Sequence, residues 1–592
     1  MEQVPSRPDV LEAGPPRPAV QYALVALAAL LVFAGTLANG FVYDDVQLVL
    51  ENPWVGSAEA MREVFSQPLF GFLESSTSQD PRHHYYRPLM HVLLFALRQG
   101  FGLQAWAYHL ALMLMHAAVS ALVLWLLRVC LAADPSGPRG RASGWAALGG
   151  ALLFAVHPVH TEAVAWVSGA MDVGMTLAVL LAARLWLPVP TSPLRALGAG
   201  AVWFMGLLFK ETPFVLPVLL WALERATASS EARGPLLAQA RRYALLGVGF
   251  VAYLGLRLMA LGSALPSSPA PTDAAHVGGV LALPADLGGK LVWPSPLAVL
   301  SPGGPVTSFA DARVWGGALC GVALLAGALW AWRRGHTVAQ AAGMWLGVPL
   351  LPALALQVRG VDAYAERYLY LPSVGFVLLV ALALRAVRVR WPDRALALAL
   401  AGGGGLAAFT LLTLAYVPAW HDDLTLWTYT QETVGERPLI HYNLGNLHLN
   451  AGRLEEAIPH LEVAAQALPG EFRVHNNLAV AYAKTGRMKE ARRELERTAR
   501  LMPDNPVAWH NLGLVSRREG DLETAIARFH DALRLAPERV DSLLELGRTL
   551  LRAGRAAEAV APLEAALRLE PGQEAARKTL AEARAAASAP PR

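Results

Sequence analysis

Long apolar runs fill the first 420 or so residues and then stop. Segments 22–38, 104–132, 145–157, 172–188, 194–210, 212–225, 242–262, 314–332, 337–356, 369–386 and 395–418 carry almost no charge. A helix needs about 20 apolar residues to cross a bilayer. The pattern therefore predicts about eleven spans, the shorter ones broken or tilted. Arginines gather in alternate connections: Arg128, Arg139 and Arg141; Arg195; Arg225, Arg233, Arg241 and Arg242; Arg333 and Arg334; Arg385, Arg388, Arg390 and Arg394. Such an excess marks the cytoplasmic side. The N-terminus is then expected inside and, after an odd number of crossings, everything beyond Val417 outside. Residues 1–21, rich in proline and polar groups, are expected to be a disordered cytoplasmic tail. The first apolar run has no cleavage site before Asn39 and is expected to be retained as an anchor. Two outside connections are long, 40–88 and 263–313, and loops of that size are usually functional or disordered. In the second, Leu291, Val292 and Trp293 suggest partial contact with the membrane surface.

Beyond residue 418 the pattern changes. A linker spans 419–440 and includes a predicted lead-in helix over 424–432. Leucines 444, 478, 512 and 546 then recur with a period of 34 residues. Gly452, Gly486, Gly520 and Gly554 keep the same step, as do Ala457, Ala491, Ala525 and Ala559, and Pro469, Pro503, Pro537 and Pro571. This is the tetratricopeptide register: small residues let paired helices approach, glycine breaks the chain between them, and proline closes the unit. Residues 441–575 are expected to form the repeats, and 576–592 a polar capping helix and tail. A stack of helix pairs offers a concave groove suited to a protein or peptide, and no residue set in it suggests chemistry. The fold class is all-α, a polytopic helix bundle over 22–418 followed by this solenoid.

Composition supports the membrane reading. Of 592 residues 54% are hydrophobic and 16% charged, against about 25% charged in soluble domains. A net charge of +4 gives no reason to expect a nucleic-acid partner. Cys130 and Cys320 lie in or beside apolar segments, so no disulfide framework is implied. No Asn-x-Ser/Thr site occurs, and Ala, Gly and Arg are abundant. The expected setting is a bacterial inner membrane with periplasmic repeats, or the endoplasmic reticulum with luminal repeats if the source is eukaryotic.

Candidate chemistry sits in the outside connections. Asp44 and Asp45 follow the first apolar run, where two acids could serve as a base or simply end the helix at the water boundary. Like-charge repulsion would raise one pKa of such a pair and help a base role. His157, His160 and Glu162 lie in His-Pro-Val-His-Thr-Glu, whose spacing matches no strong zinc signature. Hydrogen bonds to substrate or structural contacts are expected there, with no metal. Asp172 opens the next apolar run, where a helix N-terminus favours an acid. Lys210 and Glu211 interrupt an apolar stretch, either as part of a functional site or as a self-neutralising pair at a tight turn. Glu366, Arg367 and Tyr368 open another span, and Arg87 adds a further cation. Arginine suits phosphate because its planar fork donates two parallel hydrogen bonds. His91, His109 and His116, on apolar helices, are expected to be polar contacts inside the bundle.

Taken in order, Phe41-Val42-Tyr43-Asp44-Asp45 with Asn52-Pro53, Tyr86-Arg87-Pro88-Leu89, His157 to Val164, Lys210-Glu211, and Glu366-Arg367-Tyr368-Leu369-Tyr370-Leu371-Pro372-Ser373-Val374-Gly375-Phe376 resemble the transmembrane and tetratricopeptide-repeat-containing O-mannosyltransferases and their bacterial relatives. The resemblance covers about residues 20–575. It implies a GT-C-like membrane glycosyltransferase whose donor is a polyprenyl-phosphate sugar, with no further cofactor. It places the acid pair at the catalytic centre, and Arg87, Lys210 and Arg367 on the donor phosphate. One departure stands out: relatives commonly read Gly-Arg-Ala-Asp or Glu where this chain has Gly169-Ala170-Met171-Asp172, so an arginine is missing. A second is Leu97-Arg98-Gln99, where relatives often carry an acid. Two other outcomes stay open at this stage, an inactive membrane-anchored repeat scaffold and a transferase acting on a lipid or surface polysaccharide.

Overall fold

A helix satisfies its own backbone hydrogen bonds, which is what an apolar chain requires in a bilayer. The computed structural model describes residues 15–72, 85–134, 141–187, 189–262, 274–304, 306–358 and 364–588. Among them, seven helices are long and apolar enough to cross a membrane: Ala105–Ala133, Val167–Trp186, Leu236–Leu261, Ala312–Arg333, Thr337–Val358, Pro372–Arg390 and Pro392–Trp420. The pair Ala142–Val156 and Pro158–Ala165 is long and apolar enough together but bent by 45°, the form of a broken span or a re-entrant loop. Pro158, which has no N–H to donate to the preceding turn, lies at the break. Two shorter apolar helices, Pro18–Val32 and Pro193–Phe209, complete the set. The chain is a multi-pass membrane protein.

The differences from the predicted spans have local causes. The first run is helical only to Val32 and ends in the short turn Ala34–Ala38. Segment 212–225 becomes the turn Thr212–Val215 and the 12-residue helix Leu216–Thr227. The N-terminal helix begins at Pro18, inside the predicted tail; residues 1–14 of that tail lie outside the described residues.

Both long connections are structured where they are described. In the first, the Asn52 side-chain amide donates to His91 Nδ1 at 3.0 Å, and His91 Nε2 donates to the Leu69 carbonyl at 3.0 Å. These bonds tie the connection to the helix Pro88–Phe101; residues 73–84 lie outside the described set. The second was expected to be a loop, yet it contains the helix Ala274–Val292, packed against Ala312–Arg333. Leu283, Leu287 and Leu291 recur every four residues and are buried, a helical stripe that the surrounding Pro and Gly obscure. Val292 and Trp293 project outward, Trp293 at 75% exposure.

The bundle has two chemically different ends. At one, Arg385 pairs with Asp134, and Glu224 accepts from Trp186 Nε1 and Tyr243 Oη and pairs with Arg242. The other end, reached by the opposite termini of these helices, holds the candidate residues. The predicted lead-in helix is observed as Asp423–Val434 and belongs to the membrane unit, residues 1–434. Its Asp423 carboxylate accepts from the Tyr43 N–H at 2.7 Å, and its Trp427 meets the Tyr43 ring edge-on.

The second unit, Gly435–Arg592, contains four helix pairs. They are Pro438–Asn450 with Leu454–Ala467, Phe472–Lys484 with Met488–Leu501, Pro506–Arg518 with Leu522–Leu535, and Val540–Arg552 with Ala556–Leu569. Glu574–Ala587 caps them. The periodic alanines 457, 491, 525 and 559 are fully buried between paired helices. The periodic glycines all have positive φ, from 74° to 87°, and a Cβ there would meet nothing within 4 Å. Their role is thus conformational, because an L-residue pays about 1–2 kcal/mol in that region. Gly486→Ala should destabilise the repeats by about 1 kcal/mol, measured as a lower denaturation midpoint with unchanged helix content.

Candidate functional site

The site is assembled on residues 157–172, a broken stretch in which a helix yields to two short turns before the span over 170–186 begins. Gly169 makes the turn possible: a Cβ there would lie 2.4 Å from the Ala163 carbonyl oxygen. The turn directs the N–H groups of Val167 and Ser168 outward, and the Asp45 carboxylate accepts both, at 3.3 and 2.8 Å. Ser168 Oγ donates to it at 2.5 Å and the Val42 N–H at 3.2 Å. Trp166 Nε1 returns a bond to the Val42 carbonyl at 3.2 Å. Asp45 is fully buried and acts as the fastener between the first connection and this stretch. Its neighbour Asp44 is half-buried. Between them and the first span Tyr43 takes φ 57°, a region that non-glycine residues seldom occupy and that often marks functional sites.

Ion pairs join the remaining loops. Lys210 Nζ donates to Asp172 Oδ1 at 2.5 Å, with both groups buried. Arg87 donates through Nε and Nη2 to Glu211 Oε2 at 3.2 and 3.1 Å, and Arg257 approaches Glu211 Oε1 at 3.3 Å. Arg367 donates its backbone N–H to Glu162 Oε2 at 2.9 Å and its guanidinium to Glu162 Oε1. The Arg367 guanidinium lies over the Trp166 ring, and the Tyr368 ring sits beneath both Lys210 and Arg367. Glu366 is fully buried and accepts from the Ala298 N–H and the Tyr364 hydroxyl, holding the second connection in place.

The structure thus brings together Asp44, Asp45, Arg87, Glu162, Asp172, Lys210, Glu211, Glu366, Arg367 and Tyr368. Lys210 and Glu211 do not neutralise each other: the chain turns between them, and each finds a partner on another segment. His157 and His160 are corrected from substrate-facing groups to packing groups. His157 accepts from the Val159 N–H and donates to the Leu291 carbonyl. His160 donates to Ser373 Oγ and packs among Phe154, His116 and Tyr370. Both are fully buried. His91, His109 and His116 likewise make interior hydrogen bonds, as expected.

Sequence reasoning missed Arg257, the lone cation in the apolar stretch 243–261 of the long helix Leu236–Leu261, whose other arginines, Arg241 and Arg242, lie near its start. An arginine at that depth was a signal by itself. It also missed Ser168 and Trp166, which carry no distinguishing pattern.

Electrostatics follow from burial. Desolvation pushes the Asp45 carboxyl up to about 7, against the pull of its donors at Ser168 and Val42 and with the charge on Asp44 adding to the rise. Burial lowers Lys210 to about 8, with Asp172 opposing and Arg87 and Arg367 assisting. Glu211 experiences burial in the opposite sense, yet Arg87 and Arg257 hold it below the ordinary carboxylate range.

Two family models described as tetratricopeptide repeat match residues 440–513 and 510–574. Protein O-mannosyl-transferase Tmtc2 of Drosophila melanogaster is 34% identical over 194 residues, 31% of this chain and 19% of that protein. Protein O-mannosyl-transferase TMTC1 of Homo sapiens is 27% identical over 517 residues, 76% of this chain and 55% of that protein. Over these spans the chain is similar to these protein O-mannosyl-transferases. It spans about half or less of their length. Among solved structures, MamA is 20% identical with a TM-score of 0.24, covering 25% of this chain and 82% of its own.

Two outcomes follow from the burial of these charges. Removing one partner of a buried ion pair costs about 3–5 kcal/mol, whereas replacing both with apolar groups is often neutral. Lys210→Met should therefore lower the melting midpoint in detergent sharply, and Lys210→Met with Asp172→Leu should recover most of it. Asp45 binds its proton more tightly folded than unfolded, so its contribution to stability is greatest at low pH and is lost as pH rises through about 7. Relative to Asp45→Asn, the wild-type chain should lose melting temperature between about pH 5 and about pH 8.

Proposed function

We propose that the membrane unit is an inverting glycosyltransferase that moves mannose or another hexose from a polyprenyl-phosphate donor to a hydroxyl on a polypeptide, with the repeats binding that polypeptide. The observation that carries this reading is the division of labour within the acid pair. Asp45 is buried and spent on four donors, and its role is to position the loop. Asp44, half-buried on the adjoining residue, is the base. A general base must reach the proton it removes, and such catalysis is worth about 10²–10⁴-fold.

In this reaction the acceptor oxygen attacks the anomeric carbon as the bond from that carbon to the phosphate oxygen breaks. The hydroxyl proton passes to Asp44, and the polyprenyl phosphate departs carrying the electron pair. The developing charge on phosphate is met by Arg87, Lys210 and Arg367, held in advance by their carboxylate partners, so stabilisation needs little rearrangement. Arg257 contributes a fourth cation beside Glu211, in a chain that has Ala170 where relatives commonly carry arginine. With side-chain cations on the phosphate, the reading assigns no role to a metal. The site end is taken to face outward, away from the arginine-rich connections.

A second reading, an inactive membrane-anchored scaffold, draws on the pairing of Arg87, Lys210 and Arg367 with carboxylates. The test is transfer in vesicles holding polyprenyl-phosphate mannose, with a Ser/Thr-rich peptide outside. Asp44→Asn should reduce turnover by about 100-fold or more without lowering the melting midpoint. Equal turnover in the variant contradicts the base role, and no transfer by the wild-type chain supports the scaffold.

A further inference from the structure

The acid pair Asp44-Asp45 is gripped from two directions. Downstream, Asp45 is fixed on the Val167 and Ser168 amides. Upstream lies a tight turn, closed by the Asp45 N–H donating to the Val42 carbonyl at 3.0 Å. Tyr43 is the second residue of that turn and Asp44 the third. With φ 57°, Tyr43 is the one non-glycine residue of positive φ among the described residues. A bulky side chain seldom adopts that region, and it persists only where the surroundings over-determine it.

Those surroundings come from the start of the lead-in helix Asp423–Val434. The Asp423 carboxylate takes the Tyr43 N–H at 2.7 Å, from a position 380 residues further along the chain. Trp427, one helical turn on, meets the Tyr43 ring edge-on at 5.6 Å, and Trp166 covers it at 5.7 Å. The Gly40 N–H donates to the His421 carbonyl at 2.8 Å, binding the approach to the turn to the same segment. Asp423 is not needed to begin its own helix. Its neighbour Asp422 does that, accepting from the Thr425 N–H at 2.8 Å, the usual work of an acid at a helix start. Asp423 is left to the turn.

A charged acceptor makes a stronger hydrogen bond than a neutral one, and this one acts on the residue just before Asp44. Rotating Tyr43 out of the left-handed region would swing the next peptide plane, and with it the direction in which the Asp44 side chain leaves the backbone. A displacement of about 1 Å between reacting groups is worth roughly 100-fold in rate. We infer that Asp423 is a positioning residue of the transfer reaction: through the Tyr43 N–H it keeps the turn that aims Asp44 at the acceptor hydroxyl. This role rests on the reading of Asp44 as the base, and adds what sets that base in place. Asp423 itself exchanges no proton. What counts is an oxygen acceptor at the right reach.

The test compares reach with charge in the full chain, using the vesicle transfer assay. Asp423→Asn keeps the reach and an amide oxygen that accepts, and should retain kcat within about threefold. Asp423→Glu keeps the charge but adds a methylene. It should lower kcat about 10- to 100-fold, with KM for donor and peptide held within about twofold. Asp422→Ala, which disturbs only the helix start, should lower the melting midpoint and leave kcat unchanged. A second measurement needs no activity. Hydrogen–deuterium exchange of segment 41–46 in detergent should quicken about tenfold in Asp423→Leu and keep the wild-type rate in Asp423→Asn. If Asp423→Leu fails to fold, the Glu variant takes its place. An active Glu variant beside an inactive Asn variant overturns the inference, because it assigns Asp423 a charge or proton role. Unchanged exchange of 41–46 in Asp423→Leu overturns it as well. Full turnover by Asp44→Asn, with quickened exchange in Asp423→Leu, overturns the base role alone. Reduced turnover by Asp44→Asn, with full turnover by Asp423→Glu, overturns the positioning role alone.

Discussion

A charge removed from water must find an opposite charge or a set of hydrogen-bond donors, and at membrane depth the requirement is severe. In this bundle it is met between segments far apart in sequence. Asp45 takes the amides of 167 and 168, Asp172 takes Lys210, Glu162 takes Arg367, and Glu211 takes Arg87 together with Arg257. Each pair links one connection to another. The loops at this end of the bundle are shaped less by their own turns than by the need of every buried charge for its partner.

The same pairs create the conditions for chemistry. Cations held by carboxylates are already oriented, and on the proposed reading a phosphodiester entering among them would exchange one set of anionic partners for another. Glu211, at 30% exposure, and Arg367, at 24%, are the more open members and mark the mouth of the cluster. The pairs Arg385–Asp134 and Arg242–Glu224 at the other end are as deeply buried. Each of them ties one helix to another, and they serve as struts. Burial of charge alone therefore does not distinguish a site; the company it keeps does.

Much of this was legible in the sequence because it is carried by local pattern. The 34-residue period specifies the repeat helices to within a few residues, since each glycine, alanine and proline has its own backbone or packing task. The chemistry-bearing loops were legible as charges interrupting apolar runs. Partner identity was not legible. Lys210 sits beside Glu211 in the chain, yet the turn between them separates their side chains, and only the folded bundle pairs Lys210 with Asp172. His157 and His160 have the composition of a site and the environment of a core, a distinction decided by what surrounds them. The helix Ala274–Val292 was hidden because Pro284 and its neighbouring glycines suggest a loop, while tertiary packing of Leu283, Leu287 and Leu291 stabilises the helix. The lead-in helix was legible in the linker, but only its contacts with Tyr43 show that Asp423–Val434 belongs to the bundle.

The central claim is that loops fastened by Asp45 hold one sugar-phosphate between Asp44 and a set of cations. A cryo-electron microscopy structure of the full chain with a non-hydrolysable polyprenyl-phosphonate hexose tests it most directly. The account predicts the phosphonate within hydrogen-bond reach of Arg87, Lys210 and Arg367, with the open face of the anomeric carbon toward Asp44. Density for the headgroup elsewhere, or an Asp44 carboxylate directed away from that carbon, would contradict it.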